Sequence, residues 1–399
     1  MGKKFKQNGE IKNSNLKKQG KSVMSISPES ASDPGPKNPL ESVLSSSSEL
    51  PPSTDRGQVD NFCFPFARAH KRIQEGGWSR QVTQRDLPIS TTIAGVNMRL
   101  IAGGIREMHW HTASEWAIML YGHARVTAID PQGRSFVNDL KEGDLWFFPS
   151  GYPHSIQGLG PDGCEFLLVF DDGDFSEDET FLISDWMAHT PREVLAKNFG
   201  FSVDAFKNIP ENELYIFLGK VTQSLKEDLK SIKTPLGSVP HSFSYSLYDQ
   251  KPNILTKGGE ARIVDSSNFP ISTTIAAALV KLNPGGLREM HWHPNADEWL
   301  YFIKGSGRVT VFASQGNART MDFTAGDVGY IPKSMAHYIE NTDDTELLFL
   351  ETFKSSFYAS ISLANWMALT PPELVAAHTN INPKLIGKIP KKQIVIMPE

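Results

Sequence analysis

At 399 residues the chain exceeds one ordinary domain, and 39% apolar against 21% charged residues is enough to bury cores. A formal net charge of −5, with no basic stripe interleaved with aromatics, argues against nucleic acid as a partner. Two cysteines, Cys63 and Cys164, do not make a disulfide framework, and no apolar run reaches the roughly 18–20 residues of a membrane span.

The first 22 residues carry seven Lys and one Glu. The stretch 24–52 that follows is rich in Ser, Pro, Glu and Asp rather than apolar, so the start does not read as a secretory signal. Lys6 stands where a myristoylation site needs Ser or Thr. Residues 1–58 are expected to form a disordered basic and Ser-Pro-rich tail. Without an export signal the expected compartment is the cytoplasm, with attachment to an outer structure by another route left open.

From residue 88 onward the chain repeats itself. Pro88 to Ala94 recurs letter for letter as Pro270 to Ala276, 182 positions later, and Arg106-Glu107-Met108-His109-Trp110-His111 recurs at 288–293. Gly143-Asp144 and Pro149 match Gly326-Asp327 and Pro332. Two domains follow, 59–232 and 233–399, with a connector near 220–240. Within each copy, short strands (124–129, 144–148 and 165–170, then 307–312, 327–331 and 347–353) are broken by Gly, Pro, Asn or Asp. The expected fold is all-β: two tandem antiparallel barrels of jelly-roll type, each closed by a short helical appendix near 190–199 and 370–378. Thr190-Pro191-Arg192-Glu193 and Thr370-Pro371-Pro372-Glu373 read as capping boxes that open those helices.

Six of the eleven histidines fall in the repeated motifs. His109 and His111 are two apart and so share one face of a strand, while Trp110 points the other way. Glu115 and His154 can complete a four-ligand shell, and the second copy offers His291, His293, Glu298 and His337. Three neutral nitrogens and one carboxylate oxygen suit a divalent transition metal, but the donor set alone does not select among Mn, Fe, Zn, Cu and Ni.

Gly103, His109, His111, Glu115 and Gly122 resemble the first motif of the cupin superfamily, and Gly143, Pro149, Gly151 and His154 resemble the second. Gly285, His291, His293, Glu298 and Gly305 repeat the first, with one extra residue before the Glu. Gly326, Pro332, His337 and Asn341 repeat the second. Gly158 stands where the second motif usually has Asn, and Ser334 where it has Gly; neither is a ligand. Residues 57–378 are similar to the bicupin oxalate decarboxylases, including Gly103 to His111 and Leu145 to Gly151. That resemblance implies oxalate as substrate, Mn(II) at two sites per chain, dioxygen as a cofactor not consumed overall, and a hexamer of two trimers.

Arg106 and Arg288 stand three residues before the first ligand of each set. Simple alternation points them away from the ligands, and a bulge at Gly103-Gly104 or Gly285-Gly286 could re-aim them onto substrate. The resemblance gives them a substrate-binding role. Phe170 and Trp186 enclose 15 residues, Phe353 and Trp366 only 12. The longer segment holds Ser176-Glu177-Asp178-Glu179-Thr180, which resembles the active-site lid of the decarboxylases and aligns Glu177 with their proton donor. Catalysis is therefore expected at the first site. Glu351, where the first copy has Leu168, is either an acid beside the second metal or a buried partner of Arg288. The alternatives are an oxalate oxidase releasing carbon dioxide and hydrogen peroxide, and a non-catalytic metal-storage cupin.

Overall fold

The computed structural model describes residues 45–220, 224–232 and 235–399. Among them, strands dominate and form two barrels. The long strand Glu115–Ile129 organises the first. Its early half pairs with Asp144–Phe148 and Cys164–Phe170, and its late half with Ser135–Lys141 and His154–Gly158. It thus runs through both faces of the barrel, and the whole barrel counts as one 12-stranded sheet. In the second barrel the corresponding chain breaks into Glu298–Lys304 and Ser306–Phe312, leaving separate 7- and 6-stranded sheets. Both barrels turn this corner on a glycine of positive φ, Gly122 and Gly305. A Cβ on Gly122 would lie 2.0 Å from the Gly163 carbonyl oxygen, so only glycine fits.

Alternation assigns each strand's side chains to two cores. Val96, Met98, Trp146, Phe148, Phe166 and Leu168 fill the first barrel, and Leu282, Phe302, Val309, Phe323 and Phe349 the second. The opposite faces are not solvated. Trp116, Phe147, Leu167 and Val169 meet Trp299, Tyr301, Val328 and Tyr330 in a third core between the barrels. This explains why Asp144–Phe148 and Asp327–Ile331 are buried at every position rather than at alternate ones.

The barrels also exchange strands. Cys63–Pro65 pairs with Asp327–Ile331 of the second barrel, and Ser244–Ser246 pairs with Asp144–Phe148 of the first. A boundary at 232/233 therefore separates neither barrel cleanly. The expected disordered tail needs correction at its end. Residues 1–44 lie outside the described residues, but 45–58 are ordered along Ala318–Thr324. Asp55 accepts hydrogen bonds from the Thr320 amide and hydroxyl, Asp322 accepts from the Ser47 amide, and Arg56 bridges to Ala318. The connector contains the helix Leu225–Ser231, opened by a Ser224/Glu227 capping box. The two capping boxes read from the sequence do not form. Those helices run Arg192–Phe199 and Pro372–Thr379 with Pro191 and Pro371 at the N-caps and no side-chain cap. The Thr190 and Thr370 hydroxyls donate instead to the carbonyls of Trp186 and Trp366, one turn back in the preceding helix. No helix among the described residues is long and apolar enough to cross a membrane.

Candidate metal centres and the lid

His109 lies on Gly104–Trp110, His111 just beyond it, Glu115 and His154 at the starts of their strands. Antiparallel pairing sets His109 directly opposite His154. One ligand atom from each of the four lies within 4.8 Å of the others, and the same holds for His291, His293, Glu298 and His337. All eight side chains are buried.

The hydrogen bonds decide which ring atoms are offered. Nδ1 of His109, His111 and His154 faces the carbonyls of Glu107, Ala113 and Tyr152 at 2.6, 2.7 and 2.8 Å. A carbonyl can only accept, so each Nδ1 carries the proton and each Nε2 presents a lone pair. In the second barrel Glu289, Ala359 and Met335 carbonyls do the same for His291, His293 and His337. Nε2 of His291 and His293 then approach to 3.2 Å, lone pair against lone pair. Glu298 Oε2 lies 2.8 and 3.3 Å from Nε2 of His337 and His293, again lone pair against lone pair, and Glu298 Oε1 is buried without a hydrogen-bond partner. A cation between them reconciles these contacts, and the donor set fits one. Burial, reinforced by the Arg106 charge, pushes the His109 imidazole well below its ordinary pKa, and Arg288 does likewise for His291. Burial alone would raise the Glu115 and Glu298 carboxyls, yet positive charge within the centre, carried by the neighbouring imidazoles when they are protonated, holds both well below the usual range.

The two centres are not equivalent. The Trp146 indole donates to Glu115 Oε1 at 2.7 Å, fixing the carboxylate while Oε2 faces His111 and His154 at 3.2 and 3.3 Å. Opposite the residue two beyond Glu298 stands Gly329 instead. Trp146→Phe should therefore weaken metal binding at the first centre by roughly 10–100-fold and leave the second unchanged. A metal titration resolving two steps checks this; equal loss at both centres would sink it.

Arg106 is buried and inward, but not through a bulge at the glycines. The register slips between Arg106 and His109, and between Arg288 and His291, so the extra residue is spent at Glu107–Met108 and Glu289–Met290. Arg106 Nη2 donates to Glu177 Oε2 at 3.0 Å and to Thr180 Oγ1 at 3.2 Å, while its Nη1 is buried with no partner. Glu177 opens a 3-10 turn, Glu177–Glu179, capped by Ser176, whose hydroxyl accepts from the Asp178 amide. Its carboxylate is folded inward and buried, with Asp178 and Glu179 exposed. Phe175 of the same segment stacks on Phe170 at 3.6 Å, and both rings abut His111.

In the second barrel the shorter loop supplies no acid. The Tyr358 hydroxyl accepts from Arg288 Nη2 at 2.7 Å, and burial pushes its own pKa up to about 12. Glu351 is buried and accepts from Arg288 Nε at 3.2 Å; burial raises its carboxyl, with Arg288 opposing and Glu298 adding to the rise.

Sequence reasoning missed Tyr215, whose hydroxyl donates to Glu177 Oε2 at 2.8 Å and contacts the Ser79 hydroxyl at 2.7 Å. Tyr215 sits at φ 52, its amide held by the Glu107 carboxylate and its carbonyl by the Glu107 amide. No motif marks it; in the second half Val395, also at positive φ, holds the matching place and accepts from the Glu289 amide.

The cupin family profile matches residues 66–206 and 245–386. Oxalate decarboxylase OxdC of Bacillus subtilis is 52% identical over 344 residues, covering 86% of this chain and 88% of the relative. The chain is a two-barrel cupin of the oxalate decarboxylase family. An oxalate decarboxylase of Arthroderma benhamiae is 40% identical to this bicupin over 372 residues, 86% of each chain. A solved structure from work on the Mn(II) centres of the B. subtilis enzyme overlays with TM-score 0.89 at 50% identity, covering 92% of the bicupin and 96% of that chain. Another, from work on substrate binding and a reaction-specificity switch in oxalate decarboxylase, gives TM-score 0.88 with the same identity and coverage.

Proposed function

We propose that this bicupin is a Mn(II)-dependent oxalate decarboxylase, converting hydrogen oxalate to formate and carbon dioxide with dioxygen as a cofactor not consumed overall. The carrying observation is the buried Glu177 carboxylate, brought by the lid onto Arg106 beside the first metal centre. His109, His111, Glu115 and His154 hold one ion; His291, His293, Glu298 and His337 hold the other. Bound Mn(II) supplies a Lewis acid for one carboxylate and, with dioxygen, the one-electron chemistry that weakens the carbon–carbon bond.

The remaining work belongs to the chain. Arg106 offers its unpaired Nη1 to the substrate's negative charge. Glu177 takes the proton that hydrogen oxalate carries and returns it to the carbon left when carbon dioxide departs, and Tyr215, Ser79 and Thr180 hold it in reach. The closed segment 171–180 keeps water from the centre. Arg288 is bound by Glu351 through Nε and by Tyr358 through Nη2 and keeps a buried, unpartnered Nη1 as Arg106 does, but it has no mobile acid to work with, so the second centre is read as structural or secondary. A hexamer of two trimers is the proposed assembly, supported by the exposed apolar side chains Trp186, Val194, Phe199, Trp366, Leu369 and Leu374 on the closing helices. The proposed compartment is the cytoplasm.

Incubating the Mn(II)-loaded protein with oxalate in air and quantifying formate against peroxide tests the reading. Formate should dominate. Dominant peroxide would make the chain an oxalate oxidase, and neither product would leave a metal-storage cupin.

A further inference from the structure

The hairpin Lys71–Gln74 and Gly77–Val82 edges the first barrel and is set apart from its counterpart by what it points at the lid. Arg72 and Ser79 are cross-strand partners, so both side chains leave one face. The Ser79 hydroxyl meets the Tyr215 hydroxyl, and Gln81 Oε1, two residues on, accepts from the Glu177 amide at 3.0 Å. The Arg72 guanidinium lies 3.7 Å from the Tyr215 ring centroid, with the Arg106 guanidinium at 4.3 Å from the same ring. Arg72 also donates to Glu213 through Nη2 and to Asp178 Oδ1, the residue after Glu177, at 3.2 Å through Nη1.

The second hairpin, Ile254–Thr256 and Gly259–Val264, has the same register, with Ile254 opposite Ala261. There Ile254, Ala261 and Ile263 stand for Arg72, Ser79 and Gln81, and Val395 for Tyr215. The whole polar set is present in the half that has the lid and apolar in the half that lacks it. We propose that Arg72 is a positioning residue that latches the lid shut through Asp178 and Tyr215, and thereby sets the partition of the reaction between formate and peroxide. The inference rests on the decarboxylase reading. With the lid open, the carbon is not protonated. Hydrogen oxalate's two electrons then pass to dioxygen and, with its own proton and one from solvent, give two carbon dioxides and one hydrogen peroxide.

The Arg72 and Asp178 side chains are 27% and 73% exposed, so the pair adds little to global stability, and its effect is expected on the lid segment alone. Asp178→Asn removes only the charge of the outer contact; Arg72→Ala removes the contact and the stacking as well. Both are compared with wild type by hydrogen exchange of the amides at 176–180 and by the peroxide-to-formate ratio. Asp178→Asn should speed lid exchange and raise the ratio roughly two- to fivefold, the range of an exposed ion pair, with Arg72→Ala larger and the double variant no worse than Arg72→Ala. Added salt should raise the ratio in wild type and leave it flat in Asp178→Asn, a response that mere structural damage would not give. Unchanged lid exchange and product ratio in both single variants overturns the latch. A wild type that makes no formate overturns the decarboxylase reading instead, and the exchange data then judge the latch alone.

Discussion

Glu177→Ala is expected to lower formate production by roughly 10²–10⁴-fold, the usual contribution of a positioned general acid, while both metals stay bound. The carboxylate is hydrogen-bonded by Arg106 and Tyr215, and Glu177 is not among the four residues that converge on the first metal centre. Its loss therefore strips the proton donor without loosening the ligand shell. It also leaves the Tyr215 hydroxyl and one Arg106 nitrogen short of a buried acceptor, which favours an open lid and admits water. Peroxide should rise as formate falls. Metal content by elemental analysis, read beside formate by NMR, separates the two effects. Formate output close to wild type would remove Glu177 from the chemistry.

Arg106→Ala should cost a further kind of binding. Loss of a preorganised cationic donor aimed at developing charge is worth roughly 10²–10³ in rate. Here the same substitution strands the buried Glu177 carboxylate, and a buried charge without its partner costs about 3–5 kcal/mol. The expected response is that the lid swings out to hydrate Glu177, so the variant loses substrate affinity and proton delivery together. Arg106→Lys keeps the charge but offers no fork, and should recover only part of the loss. Steady-state kinetics on oxalate, with lid proteolysis as a second readout, checks this. An Arg106→Ala enzyme with wild-type kcat/KM would end the substrate-binding role.

Much of this site was legible because the chain states it twice. Two copies of His-x-His, a following Glu and a later His identify eight ligands, and the period of a strand says which residues share a face. What resisted reading was whatever breaks that period. Arg106 has the wrong parity, and the bulge that corrects it falls at Glu107–Met108, where no glycine marks it; the slip is instead fixed by Glu107, whose carboxylate binds the amides of Ser184, Leu214 and Tyr215. Tyr215 lies outside every motif and reaches Glu177 only because a left-handed backbone turns it inward. Residues 45–58 have the composition of a tail, yet local composition does not register that Asp55 and Ser47 find partners more than 260 positions away. The lid was visible as a difference in length between the copies, its latch only as a difference in polarity between two hairpins.

The exchanged strands have a consequence for the origin of the chain. Duplication of one barrel would have produced two self-sufficient copies, but here each barrel is finished by backbone from across the midpoint: Cys63–Pro65 in one direction and Ser244–Ser246 in the other. Neither half remains a portable module that recombination could lift into another gene and expect to fold with covered edges. The two centres differ in their neighbours while their scaffolds have become mutually dependent, and a substitution that unsettles one barrel reaches the other through shared hydrogen bonds.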